Sequence, residues 1–290
     1  MPGSSIGVMP PAVFSPAEFP FTEPGSGEEA SPQLVQAPQA PPKTSGKTSG
    51  LGDDFWAGGY HVGGDIRDVA VNGGPALLDV TDITQSAHSR LGGLRDGHMA
   101  VTSYMDPAAA QSHAAFSGLP TADVIMTYCR GQAIGNPAAC LNAKQVNYDP
   151  TRANTGELTF KVQGDGNAYG LEWGLQLTAG LRTDTSATNG LSLDNAAGTS
   201  FGAQAYLQAS AFTGTDVTVT VQHSADNATW ATLVAFSQIT GGTPSAQRVS
   251  VSNATTVNRY LRVITTTSGG FTSLAFQVTA TRNSIASVVF

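Results

Sequence analysis

The chain has 290 residues, enough for two domains of ordinary size, and 40% of them are hydrophobic. Charged residues make up only 12%, and small residues fill the polar positions, a texture that suits strands, tight turns and subunit contacts more than a charge-laced helical enzyme. The formal net charge of −7 without a basic cluster excludes a nucleic-acid footprint, no stretch approaches 18 uninterrupted apolar residues, and the opening MPGSSIGVMPPAVF has no positive region or apolar run, so neither a membrane helix nor a signal peptide is expected.

Residues 1–52 carry ten of the 16 prolines. Proline removes backbone donors and blocks helix continuation, so this stretch reads as an extended arm or linker, with Phe14, Phe19 and Phe21 as apolar beads able to dock on another subunit. Its tandem Lys-Thr-Ser-Gly, residues 43–50, invites a phosphate-loop reading. That reading fails: Pro41 stands where the first glycine belongs, and no strand precedes it.

A first domain is expected over 53–185. Gly73-Gly74-Pro75 reads as a turn, and Asp96-Gly97 as another. Residues 97–106 alternate Met99, Val101 and Ser103 against Ala100, Thr102 and Tyr104, the period of a strand. Asp106 as cap and Pro107 at the first helical position predict a helix of about ten residues over 107–116. The apolar run after Thr121 reads as a buried strand, and 156–166 as another. In 167–181, Tyr169, Leu171, Trp173, Leu175 and Leu177 share one apolar face against a small polar face of Gly170, Glu172, Gly174 and Gln176. This predicts an antiparallel strand packed on its apolar side.

Residues 182–200 are turn-rich, and a boundary is placed here, with a second domain over 186–290. It reads as short strands at regular spacing. Val217, Val219 and Val221 alternate with threonines, a strand follows Trp230, and 258–265 and 273–282 alternate again, the signature of a β-sandwich. The overall expectation is a mainly β protein with one short helix: a β-barrel or sandwich, then a C-terminal sandwich.

No constellation points to catalysis. His61, His88, His98, His113 and His223 lack metal-ligand spacing, no Cys-x-x-Cys pair exists, and there is no Gly-x-Ser-x-Gly elbow. Asp53-Asp54 and Glu28-Glu29 are adjacent pairs whose side chains diverge in a strand, so solvation is the expected account. Arg90, Arg95, Asp96 and His98 bracket turns, with a partner surface as the functional alternative. Cys129 and Cys140 are expected to be reduced and structural, while their bonding stays open. No enzyme, metal, cofactor or catalytic residue is therefore expected.

Within 53–185, the stretches DVTDITQSAHSRLGGLRDGHMAVTSYMDP, AAAQSHAAF, ADVIMTYCRG and NYDPTRANTGELTFKVQGDGNAYGLEWGLQLTAG resemble, in texture and order, the major tail (tail tube) proteins of long non-contractile-tailed bacteriophages, particularly those of actinobacteria. The second domain, through Ser224, Asp226, Trp230, Arg259, Tyr260 and Arg262, resembles modules fused to such proteins and galactose-binding-like sandwiches. The resemblance implies a non-catalytic virion protein, assembled in the host bacterial cytoplasm, that forms stacked hexameric rings. Its partners would be further copies, a tape-measure protein and other tail proteins, with double-stranded DNA passing through the lumen. An acidic wall suits that passage, giving DNA little to bind. The alternative it implies is a carbohydrate-binding decoration or adhesin that recognises a cell-surface glycan.

QHSADNATW, residues 222–230, gathers His223, Ser224 and Asp226 and contains a glycosylation-like Asn227-Ala228-Thr229. Lying between two strands, it reads as a hairpin corner whose Ser, Asp and Asn bond their own backbone, and the sequon as a by-product of turn chemistry.

Overall fold

The computed structural model of the chain describes residues 49–119 and 122–285. The prolines and phenylalanines of the arm, Glu28-Glu29 and the phosphate-loop-like stretch through Thr48 lie outside them. Residues Ser49–Phe290 form one unit, and every element below belongs to it. Among the described residues, no helix is long and apolar enough to cross a membrane.

The elements in chain order are β1 (Asp54–Ala57), β2 (Tyr60–His61), β3 (Ile66–Asp79), β4 (Arg90–Tyr104), α1 (Ser112–Phe116), β5 (Val124–Cys129), β6 (Pro137–Gln145), β7 (Asp149–Arg152), β8 (Leu158–Gly166), β9 (Glu172–Gln176), β10 (Arg182–Asp184), β11 (Asn189–Asp194), β12 (Ala203–Gly214), β13 (Thr218–Ser224), β14 (Ala231–Ala235), β15 (Ser245–Ser250), β16 (Tyr260–Thr266) and β17 (Phe271–Arg282). The mainly β expectation holds, and the described residues contain one short helix. Thirteen strands form one sheet with a principal path β15-β12-β17-β9-β6-β5-β1-β2, and β11-β16-β13-β14 form a second. The large sheet curls without closing into a barrel. Its end strands β15 and β2 share no ladder. The Gln208 side chain of β12 reaches across the curl, accepting from Gly59 N–H of the β1–β2 turn at 2.7 Å and donating to the Ile125 carbonyl of β5 at 2.9 Å. The arrangement is sandwich-like.

Two large apolar cores result among the described residues. In one, Ala205, Leu207, Phe276 and Val278 of β12 and β17 pack on Val219, Val221, Leu261 and Val263 of the four-stranded sheet. In the other, Phe55, Met126 and Leu141 pack on Met99, Val101, Phe160 and Val162, closed by Phe116 of α1. The expected Met99–Val101–Ser103 face is indeed the buried one. Between the cores runs a buried polar layer: Thr127, Cys140, Glu172, Gln204, Tyr206, Gln208, Gln277 and Thr279 all face inward from the curled sheet. At the composition change near 182–200 the sheet is continuous, because β9 pairs with β17 through Gln176–Thr279 and Leu175–Ala280.

Several expectations fail for physical reasons. The helix is five residues long, because Ala110 adopts a left-handed φ of 64° and Ser112 is recruited by tertiary partners: its N–H donates to Asp65 Oδ2 and its hydroxyl to the Tyr104 carbonyl. Asp106 does accept a capping bond from Ala108 N–H at 2.8 Å, but on a turn. Gly73-Gly74-Pro75 and Asp96-Gly97 are not turns. They lie opposite one another in the β3–β4 ladder. A Cβ on Gly73 or Gly97 would meet Leu171 side-chain or main-chain atoms at 2.5 Å, so these glycines allow a close crossing. The apolar face of 167–181 is only partly as expected: Leu177 enters one core and Leu171 packs on the other, but Glu172, Gly174 and Gln176 are buried too and Trp173 faces outward. A Cβ on Gly174 would sit 2.5 Å from the Ala280 carbonyl oxygen, so the small residue serves the β9–β17 crossing.

Candidate functional site

Among the described residues, the β3–β4 hairpin gathers several exposed apolar side chains, Leu77, Leu78, Ile83, Leu91 and Leu94, on one projecting element. Its lower part is embedded. From His98↔Asp165 to Tyr104↔Thr159, β4 also pairs with β8, and Met99 and Val101 enter the core. Beyond His98 no third strand joins, and the two strands continue as a free ribbon to Asp79↔Arg90. The eight residues of β3 from Asn72 to Asp79 carry this ribbon roughly 25 Å outward at about 3.4 Å per residue.

The tip is ordered by its own polar groups. Asp79 Oδ1 accepts from Thr81 N–H and hydroxyl, Asp82 Oδ1 accepts from Thr84 N–H and hydroxyl, and Ser89 N–H donates to Thr81 Oγ1 at 2.9 Å. The threonine hydroxyls, then the backbone donors, hold both carboxyls below the usual aspartate range. His88 Nδ1 lies 3.0 Å from Asp79 Oδ2. The apolar side chains, by contrast, face solvent. Ile83 is fully exposed, Leu94 is 87% exposed, and Leu77, Leu78 and Leu91 are more than half exposed. An exposed apolar ribbon with free edges is an association surface unless something covers it.

The residues singled out around it fall into place. Arg90, Arg95, Asp96 and His98 do not bracket turns but line β4. Arg95 reaches back to the Leu171 carbonyl at 3.2 Å, and His98 Nδ1 meets Asp165 Oδ1 at 2.7 Å, both at the ribbon's root. Asp53-Asp54 is not simply solvated. Asp54 is buried and holds His61 Nε2 at 2.8 Å, while Asp53 accepts from the Tyr128 hydroxyl and from Gly131 N–H at 2.9 Å. His113 Nδ1 sits 2.7 Å from the Tyr148 hydroxyl.

The 222–230 cluster is a hairpin corner, as its turn chemistry indicated. Asp226 Oδ1 accepts from Ser224 Oγ and from Ala228 and Thr229 N–H, and Asn227 takes a left-handed φ of 61°. Those backbone donors hold the Asp226 carboxyl far below its usual range. His223 Nδ1 accepts from Asn258 N–H at 3.2 Å, and partial burial lowers its pKa. Arg262 lies 4.1 Å over the Trp230 ring, and Arg259 pairs both guanidinium arms with Asp194 while lying 4.9 Å from the Tyr260 ring centre. Each of these aromatics therefore carries its own cation.

No family model and no curated protein matches the chain. Among solved structures it is similar to the tail of an empty GTA particle refined with C6 helical symmetry (12% identity over 38% of this chain and 81% of that one, TM-score 0.32). It is also similar to the SPP1 Dit (gp 19.1) protein, described as a hub of the adsorption apparatus in phages infecting Gram-positive bacteria (8% identity, 79% and 98%, TM-score 0.29). A third similarity is to the phage p2 baseplate in its activated conformation (9% identity, 80% and 98%, TM-score 0.28).

Proposed function

We propose that this chain is a structural subunit of a bacteriophage tail whose copies stack head-to-tail into a tube, in the manner of a major tail protein. The observation that carries the reading is the β3–β4 ribbon. It projects roughly 25 Å, is ordered to its tip by its own polar groups, and presents a row of leucines and an isoleucine that the described residues leave uncovered. A contact between two different surfaces of the same chain need not close, and its repetition builds a filament. The sequence resemblance of 53–185 to tail tube proteins points the same way, and so does an acidic chain beside passing DNA. In this reading the rings are hexameric, the tape-measure protein and other tail proteins are further partners, and the work is mechanical.

The test is negative-stain imaging of the purified full chain across a concentration series. Rings or tubes of uniform bore are expected. Monodisperse monomers at every concentration, with no tubes in virions carrying the protein, overturn the reading.

A further inference from the structure

The four-stranded sheet covers β12 and β17 but stops short of β9. A cleft of about 310 Å³ remains there. Leu177 and Leu261 form part of its lining and belong to the core, while Trp173, Leu175 and Leu193 complete the apolar walls. Trp173 is 50% exposed, so half of the largest side chain at the cleft faces solvent. Arg282 also lines it, donating to the Ala197 carbonyl at 2.6 Å. It makes no ion pair among the described residues, and burial lowers its pKa, so its charge is short of a carboxylate partner.

The ribbon tip is the complement of this cleft. Ile83 is a fully exposed apolar knob, and the residue before it is the carboxylate Asp82. The copy's own tip cannot fill its own cleft. The ribbon roots at Leu171, two residues from Trp173, and then runs roughly 25 Å away. A neighbour displaced along the ribbon by about that length would bring its cleft to the tip.

Resting on the assembly reading above, we propose that the cleft between β9 and the four-stranded sheet is the receptor for the β3–β4 tip of the next copy, Ile83 entering beside Trp173 and Asp82 facing Arg282. Knob and cleft are different surfaces, so one contact leaves a free knob and a free cleft, and the pairing propagates. The apolar insertion supplies the attraction, and the rim charge pair sets orientation.

The test uses the full chain carrying Ile83→Cys together with Leu193→Cys, oxidised with diamide under assembly conditions. A ladder of disulfide-linked multimers, collapsed by reductant and absent from either single variant, is expected. Tubes or rings that form without a ladder overturn the cleft assignment and leave assembly standing. Failure of the unsubstituted chain to assemble overturns both. Asp82→Arg and Arg282→Asp provide a second measure. Each alone should raise the concentration needed for assembly about three- to fivefold, and their combination should restore it. Singles that assemble like the unsubstituted chain refute the rim pair.

Discussion

Arg248 Nη2 meets Glu172 Oε1 at 2.9 Å, with both side chains at most 6% exposed and 76 residues apart in sequence. Around the pair, Gln204 Nε2 donates to Glu172 Oε1 at 3.0 Å, the Tyr206 hydroxyl donates to Glu172 Oε2, and the guanidinium lies 3.6 Å over the Tyr169 ring. Burial opposes the charge on Arg248, but the hydrogen bonds and field of Glu172 and Tyr206 outweigh it and raise its pKa. Burial first, and then the neighbouring carboxylate, raise that of Tyr206. This pair is the centre of the polar layer between the two apolar cores.

Removing one partner should strand the other. Arg248→Met is expected to cost about 3–5 kcal/mol by urea denaturation, because Glu172 keeps its desolvation without its counter-charge. Pairing it with Glu172→Leu should recover much of the loss. A single substitution costing under about 1 kcal/mol refutes a buried, interdependent pair.

Gly174→Ala tests the inward face of β9. The added methyl meets the Ala280 carbonyl and Thr281 Oγ1 at 2.5 and 2.6 Å, and main chain cannot yield cheaply. A loss of about 1–3 kcal/mol is expected, with faster amide exchange at Leu175 and Leu177, the amides on the β17 side: Leu177 N–H donates to the Val278 carbonyl at 2.8 Å, next to a β9–β17 ladder only two residues long. Unchanged exchange at those amides would mean that the crossing is looser than it looks.

Both cysteines are buried thiols. Burial pushes Cys140 up to about 12 and Cys129 well above the usual thiol range. At pH 8 the folded chain should leave Ellman's reagent essentially unreacted, and full colour should appear only in denaturant. Rapid reaction of the folded chain would contradict the burial.

Acid should weaken the packing around the four-stranded sheet in a defined window. Asp216 is held at about 2, first by Ser268 and Gly269 N–H, and Asp194 at about 2, first by Arg259. Both lie below the ~3.9 of an unfolded aspartate, so the unfolded state takes up protons first as pH falls. Their contribution is present above about pH 4 and is lost as pH drops towards about 2. Melting curves from pH 7 to 2 should show that limb, and Asp216→Asn should lower Tm at pH 7 while making the limb shallower. An Asp216→Asn limb as steep as the original would remove Asp216 from the account.

Ile83→Asp separates assembly from folding. Fully exposed and touching no core, the position should tolerate the change within about 0.5 kcal/mol, while assembly is strongly reduced. Normal assembly by this variant counts against the ribbon as the contact.

Much of this architecture was legible locally. Strands with a period of two, such as Met99–Val101–Ser103 and Val217–Val219–Val221, announce both their form and their buried side, because one side meets a core. The 222–230 corner was legible because its chemistry is local: Asp226 accepts from backbone two and three residues away, and Asn227 takes the left-handed conformation it tolerates. By contrast, β6 carries small and polar residues buried on both faces, so it has no alternation to display.

The sequence by itself determined a mainly β chain, the strand periodicities and the turn that needs only its own residues. The tertiary structure alone decided which face of β9 points inward, because Glu172 finds Arg248, Tyr206 and Gln204 only after folding. It decided also that Gly73 and Gly97 serve a crossing by Leu171 rather than a turn, and so that one long ribbon stands where two turns were expected. Glycine permits both a turn and a close approach, and only the neighbour that arrives from elsewhere in the chain selects between them.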